Sequence, residues 1–142
     1  RLDEALGVSG QNALECFLGV LVQIAGGADG LHHSGTGGIT LSGGLDLGAG
    51  DATLTTFANG TTITVSAPVT GANGTIQVTL GTLQLNAANT FGGGIRSSGS
   101  GVLRLGHALA LQNATLDLNA SDTGSVNLNN LSAVLGALSG SR

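Results

Sequence analysis

The sequence predicts an all-β chain wound as a parallel solenoid, and three observations carry that expectation. Leu83-Gln84-Leu85 and Leu103-Arg104-Leu105 are alternating apolar and polar units placed twenty residues apart. A strand that returns at a short fixed period marks a coil stacking on itself. Glycine and Asn-Gly punctuation separates such units along the chain, at Gly43-Gly44, Gly48-Ala49-Gly50, Asn59-Gly60, Asn73-Gly74 and Gly92-Gly93-Gly94. These residues accept the positive φ that corners need. Finally, many of the units are only three or four residues long. The strands of a sandwich usually run about 5–6 residues, so short units suit the faces of a coil.

Taken in order, residues 1–35 read as an N-terminal cap or assembly segment and residues 36–142 as the repeat domain. Asn12 precedes Ala13-Leu14-Glu15, a capping-box arrangement in which Asn12 accepts from an early helix amide and Glu15 reaches back. Leu14, Phe17, Leu18, Leu21, Val22 and Ala25 follow helical spacing, and Gly26-Gly27 is a reasonable stop. A helix over 13–25 is the first expectation. A strand over 18–24 competes with it, since Val20, Val22 and Ile24 alternate with Leu21 and Gln23 and Gly19 weakens a helix. From Gly37 onward short strands are expected at Ile39–Leu41, Leu45–Leu47, Leu54–Thr56, Ile63–Val65, Ile76–Val78, Leu83–Leu85, Val102–Leu105, Leu109–Leu111, Leu116–Leu118 and Val126–Leu128. About 105 residues at about 20 per coil give about five coils.

Composition narrows the function. The chain has 142 residues, enough for one continuous core. That core is aliphatic, because there are three Phe and no Tyr, Trp or Met. Charged residues are 8% of the chain, against roughly 25% in ordinary domains, so the surface is built from Ser, Thr, Asn and Gly. The net charge of −4, with Arg1, Arg96, Arg104 and Arg142 scattered, opposes nucleic-acid binding, which needs clustered cations. No run of about 18 apolar residues supports a membrane-spanning helix. Cys16, among Leu14, Phe17 and Leu18, reads as a small buried apolar side chain, with an intermolecular bridge as the alternative. The chain does not open on methionine, which reads as a fragment or processed product.

Residues 81–106 resemble the strand repeat of bacterial autotransporter passenger domains and related giant surface proteins. The residues that carry the resemblance are Gly81, Thr82, Leu83, Leu85, Asn89, Thr90, Phe91, Gly93, Gly94, Gly101, Leu103 and Leu105, and the continuation through Leu118 is similar. Gly43 to Gly48 and Leu135 to Arg142 share the pattern more weakly, and residues 1–35 depart from it. The resemblance implies a right-handed parallel β-helix, an extracellular or cell-surface location, and a structural role.

The constellations that carry chemistry elsewhere are thin here. Asp29, His32 and His33 are the nearest approach to a metal site, but zinc asks for three or four ligands with outer support, and the bland reading is an exposed loop between Gly30 and Gly35. Asp46 with Asp51, and Asp117 with Asp122, flank turns without the repeating calcium-roll pattern. A carbohydrate-cleaving groove needs clustered carboxylates, and eight acidic residues are spread over the chain. His107 is expected on a turn beside Leu105, and no G-x-S-x-G elbow exists. Gly92-Gly93-Gly94 lacks the Lys-Ser/Thr of a phosphate loop and reads as a corner, with Phe91 plugging the core there. Sequons start at Asn59, Asn73, Asn113, Asn119 and Asn130. Thr53-Leu54-Thr55 and Thr62-Ile63-Thr64 raise an ice-binding idea, though two units do not make an array.

The expectation is therefore a non-enzymatic rod or filament building block without cofactor or metal. It assembles end to end as a homo-oligomer or homopolymer, because a solenoid leaves a sheet edge at each end. The expected contact is the apolar set Leu14, Phe17, Leu18, Leu21, Val22 and Ile24. The alternative is an adhesin stalk whose polar rows meet glycans or other cells.

Overall fold

The computed structural model describes residues 29–33, 38–47 and 53–142, and the side chains of 38–47 and 60–142. These residues form β1 (Asp29–His33), β2 (Ile39–Leu41), β3 (Leu45–Asp46), β4 (Thr53–Val65), β5 (Val69–Thr70), β6 (Thr75–Leu85), β7 (Gly94–Ser97), β8 (Val102–Leu105), β9 (Leu111–Leu118), β10 (Ser125–Asn127) and β11 (Leu135–Gly140). No helix occurs among the described residues, and every pairing between strands is parallel. The result is a β-solenoid of about four turns.

Alternation decides what each coil buries. In β8 the pattern of Val102-Leu103-Arg104-Leu105 sends Leu103 and Leu105 inward, and β6 does the same with Leu83 and Leu85. Register then stacks like on like. Ile39, Ile63, Leu83, Leu103 and Val126 form one inward column, and Leu41, Val65, Leu85 and Leu105 form a second. Between them Thr40, Thr64, Gln84, Arg104 and Asn127 form an outward row. The threonines of this row give way to Gln84 and Arg104, so it is no threonine array. On another face, Ile76, Ile95, Leu116 and Leu138 share a column. Ile63, Val69, Leu83, Ile95, Leu103 and Leu105 have no exposed surface at all. Each such side chain contributes about 1.5–3 kcal/mol of burial.

Two corners show why glycine punctuates the chain. β6 bends at Gly81, whose φ of 66° is the left-handed region, and β4 bends likewise at Gly60. Gly93 answers a different need, close approach. A Cβ there would strike the backbone of Asn73 and Gly74 in the coil before it, coming within 2.7 Å of the Asn73 carbonyl oxygen.

The expected strands recur, some within longer ones. Ile63–Val65 is the end of β4, and Ile76–Val78 and Leu83–Leu85 are the two halves of β6. Four expectations need correction. About four turns are present rather than five, because coils lengthen toward the ends: Leu83 pairs with Ile63 and Leu103 at twenty-residue offsets, but Ile39 pairs with Ile63 and Leu103 with Val126. Asp29, His32 and His33 lie in a strand, β1, with His32 opposite Phe57, rather than in a loop. Gly94 is not corner but the first residue of β7, opposite Thr115. Leu109 precedes β9 and lies on a turn, because its amide is taken by the His107 side chain, Nδ1 accepting at 3.0 Å. The expected helix over 13–25 lies outside the described residues.

Candidate functional site

The outward faces of β6, β7, β9 and β11 bring together side chains that are far apart in sequence. Register places Gln77, Arg96, Asp117 and Ser139 in one row, each one coil from the next. The adjacent row reads Thr75, Gly94, Thr115, and Gly94 leaves a gap in it. The gap opens a shallow groove of about 270 Å³, lined by Thr75, Gln77, Arg96 and Asp117 over the backbone of Ile76, Gly94 and Ile95.

The polar groups of this groove also serve the fold. Gln77 Nε2 donates to Ser98 Oγ at 3.2 Å. Arg96 Nη2 stands 3.4 Å from Asp122 Oδ1. Ser139 Oγ donates to Asp117 Oδ1 at 3.3 Å. Arg96 is partly exposed while Asp122 is buried, so the guanidinium offers its outer face to the groove. Arg142 Nη1 donates to the Asp122 carbonyl at 2.5 Å and ties the last residue of the chain to the same corner. The arrangement is a strip of fixed donors and acceptors suited to hydroxyl or carboxylate groups.

A buried polar junction lies at the corner before Phe91. Asn89 is 2% exposed. Its Oδ1 accepts from Val69 N at 2.9 Å, one coil earlier, and its Nδ2 donates to the Ala110 carbonyl at 2.9 Å, one coil later. Gln112 Nε2 donates to the Asn89 carbonyl at 2.9 Å. One side chain thus joins three successive coils, and every group is satisfied as burial demands.

The third feature is the C-terminal edge. Among the described residues β10 pairs only with β8, and β11 only with β9. Leu128, Val134 and Leu138 are exposed there, Leu138 by 64%. Leu131, Ala133 and Leu135 are half-buried against the end of the core. Asn129 and Asn130 turn this last coil with φ of 53° and 59°, where earlier corners use glycine.

Of the residues singled out by sequence, Leu14, Phe17, Leu18, Leu21, Val22 and Ile24 lie outside the described residues, as do Cys16 and Asp51. Asp46 is in β3. Asp117 accepts from Ser139, and Asp122 faces Arg96. No three His, Cys, Asp or Glu side chains converge among the described residues. Asn73, Asn113, Asn119 and Asn130 are exposed, with Asn113 on β9 rather than in a turn. Phe91 is buried at its corner. Sequence reasoning missed the groove and the Asn89 junction, whereas a sheet edge at each end of the solenoid was expected. The Asn-Thr-Phe triplet at the corner was the available signal for the second.

Comparison of the chain with protein-family models, with curated proteins and with solved structures returned no match.

Proposed function

We propose that this chain is a structural β-solenoid, a rod or filament building block that extends by end-to-end assembly at the cell surface or in the extracellular space. The observation that carries the reading is the in-register stacking of one coil on the next, with the same aliphatic columns inside and polar rows outside. Such a fold gains length by adding units, each of which contacts only its neighbours. The surface location rests on the resemblance of residues 81–118 to autotransporter passenger repeats. In this reading the apolar segment 13–25, with Leu14, Phe17, Leu18, Leu21, Val22 and Ile24, supplies one end contact. The chain acts through its shape and not as an enzyme. Negative-stain electron microscopy of the purified chain tests it. Fibres are the expected result, and isolated short rods at every concentration overturn it.

A second reading, an adhesin stalk, is favoured by the groove beside Gly94, where Gln77, Arg96 and Asp117 present donors and acceptors to glycan hydroxyls. Binding on a glycan array that falls at least tenfold in Arg96→Ala is its expected signature. An array without hits removes it.

A further inference from the structure

We propose that His107 is an acid-sensitive latch on the corner that joins successive coils. Its neutral imidazole holds the turn that serves the Asn89 junction, and protonation releases that turn. The device belongs to the single chain and does not depend on assembly.

His107 is half-buried between β8 and β9. Its Nδ1 accepts from the Leu109 amide at 3.0 Å. A ring nitrogen that accepts carries no proton, so the ring is in its neutral form with hydrogen on Nε2. The Ala110 amide donates to the His107 carbonyl at 3.1 Å and closes the same turn. The turn then offers consecutive carbonyls to the coils on either side. The Ala108 carbonyl accepts from Val134 N at 2.9 Å, in the coil after it. The Leu109 carbonyl accepts from Asn89 N at 3.3 Å, and the Ala110 carbonyl from Asn89 Nδ2 at 2.9 Å, in the coil before it. One imidazole acceptor therefore fixes the stretch of backbone through which neighbouring coils are bonded.

The chain builds the same turn elsewhere from a side chain that does not titrate. Asn119 Oδ1 accepts from the Ser121 amide at 3.0 Å, and Asn127 Oδ1 from the Asn129 amide at 2.8 Å. In each the acceptor stands two residues before its donor, as at His107. Asparagine Oδ1 and histidine Nδ1 are both bonded to Cγ, so they reach the same place. They differ in what acid does to them. The amide oxygen accepts throughout, whereas the imidazolium has two N–H donors and no acceptor. Protonated His107 would set an N–H against the Leu109 N–H. No carboxylate pairs with His107 among the described residues to favour the charged ring. The corners packed on either side, residues 86–91 and 128–134, contain no titratable side chain. The nearest charge along the chain is a cation, Arg104, on the outward row of β8. Histidine ordinarily takes up its proton between about pH 8 and about pH 5. The bond is present at the upper end of that window and is lost as pH falls through it, so the corner weakens in acid.

The test is urea unfolding of the dilute full chain at pH 8 and pH 5, comparing wild type with His107→Asn and His107→Ala. His107→Asn should match wild type at pH 8, because it restores the acceptor. From pH 8 to pH 5 the folding equilibrium of wild type should weaken about fivefold more than that of His107→Asn, the worth of one hydrogen bond. His32, His33 and the carboxylates titrate in both chains and cancel. His107→Ala lacks the acceptor at both pH values, so it should start weaker and follow the pH profile of His107→Asn. Two readouts on wild type need no variant. Nitrogen NMR should place the ring proton on Nε2 at pH 8, and protection of the Leu109, Asn89 and Val134 amides against hydrogen exchange should fall on acidification by more than that of β8. Parallel pH profiles for wild type and both variants overturn the proposal, as does a ring proton on Nδ1 at pH 8.

Discussion

The coil around Leu83 and Leu103 and the coil that ends in β11 are built on one plan, yet they meet solvent differently. In the first, Leu83, Leu85, Leu103 and Leu105 are at most 1% exposed, held between coils on both sides. In the second, Leu128, Val134 and Leu138 are exposed, although Leu138 continues the inward column of Ile76, Ile95 and Leu116. The sequence of a coil chooses which residues point inward. Its neighbours decide whether inward means buried. Stability in this molecule is therefore a property of junctions between coils, as a quasi-one-dimensional fold requires.

The sharpest way to break this contrast is Leu103→Ala. A cavity between two sealed coils should cost about 2–5 kcal/mol, read from the midpoint of urea unfolding. A loss under about 1 kcal/mol would mean that the middle coils are as loosely held as the last. Asn89→Ala comes next. It strands the Val69 amide and the Ala110 carbonyl, at about 1–3 kcal/mol for each buried group. Retention of wild-type stability would show that the corner does not couple the coils. Gly93→Ala probes the close approach of one coil to the one before it. The overpacking should cost about 1–3 kcal/mol, read from the same unfolding curves. The smallest effect belongs to the open end. Leu138→Ala should change the stability of the dilute chain by less than about 0.5 kcal/mol, since little burial is lost. A larger loss would mean that the edge is already covered within one chain.

Much of the fold was legible in advance because alternation is a local property. Leu83-Gln84-Leu85 and Leu103-Arg104-Leu105 announce which side chains are buried without any knowledge of what covers them. β7 was not legible, for a physical reason. Gly94-Ile95-Arg96-Ser97 holds one apolar residue, and its second inward position is Ser97, made tolerable by donation from its Oγ to the Gly101 carbonyl at 2.6 Å. β11 was hidden because Leu135, Ala137 and Leu138 do not alternate, and their burial pattern does not either. The groove and the Asn89 junction depend on offsets between coils. Gln77, Arg96 and Asp117 become neighbours only when lengths of chain between them are fixed, and each offset is set by corners whose residue count no local pattern reveals. Asn89 resembled any turn asparagine until Val69 and Ala110 were placed on either side of it.

The direction of the ladders has a mechanical consequence. Parallel strands that stack coil on coil align their hydrogen bonds with the axis of the rod. A pull along that axis loads the outermost ladder first and opens it one bond at a time, rather than shearing all ladders together. The chain under tension should therefore yield by peeling, at low force and in steps. Each coil released lets out about 20 residues, roughly 70 Å of extended polypeptide. A rod made this way is stiff under sideways load and extensible under tension, and Asn89, which clasps three coils at once, marks where the peeling should pause.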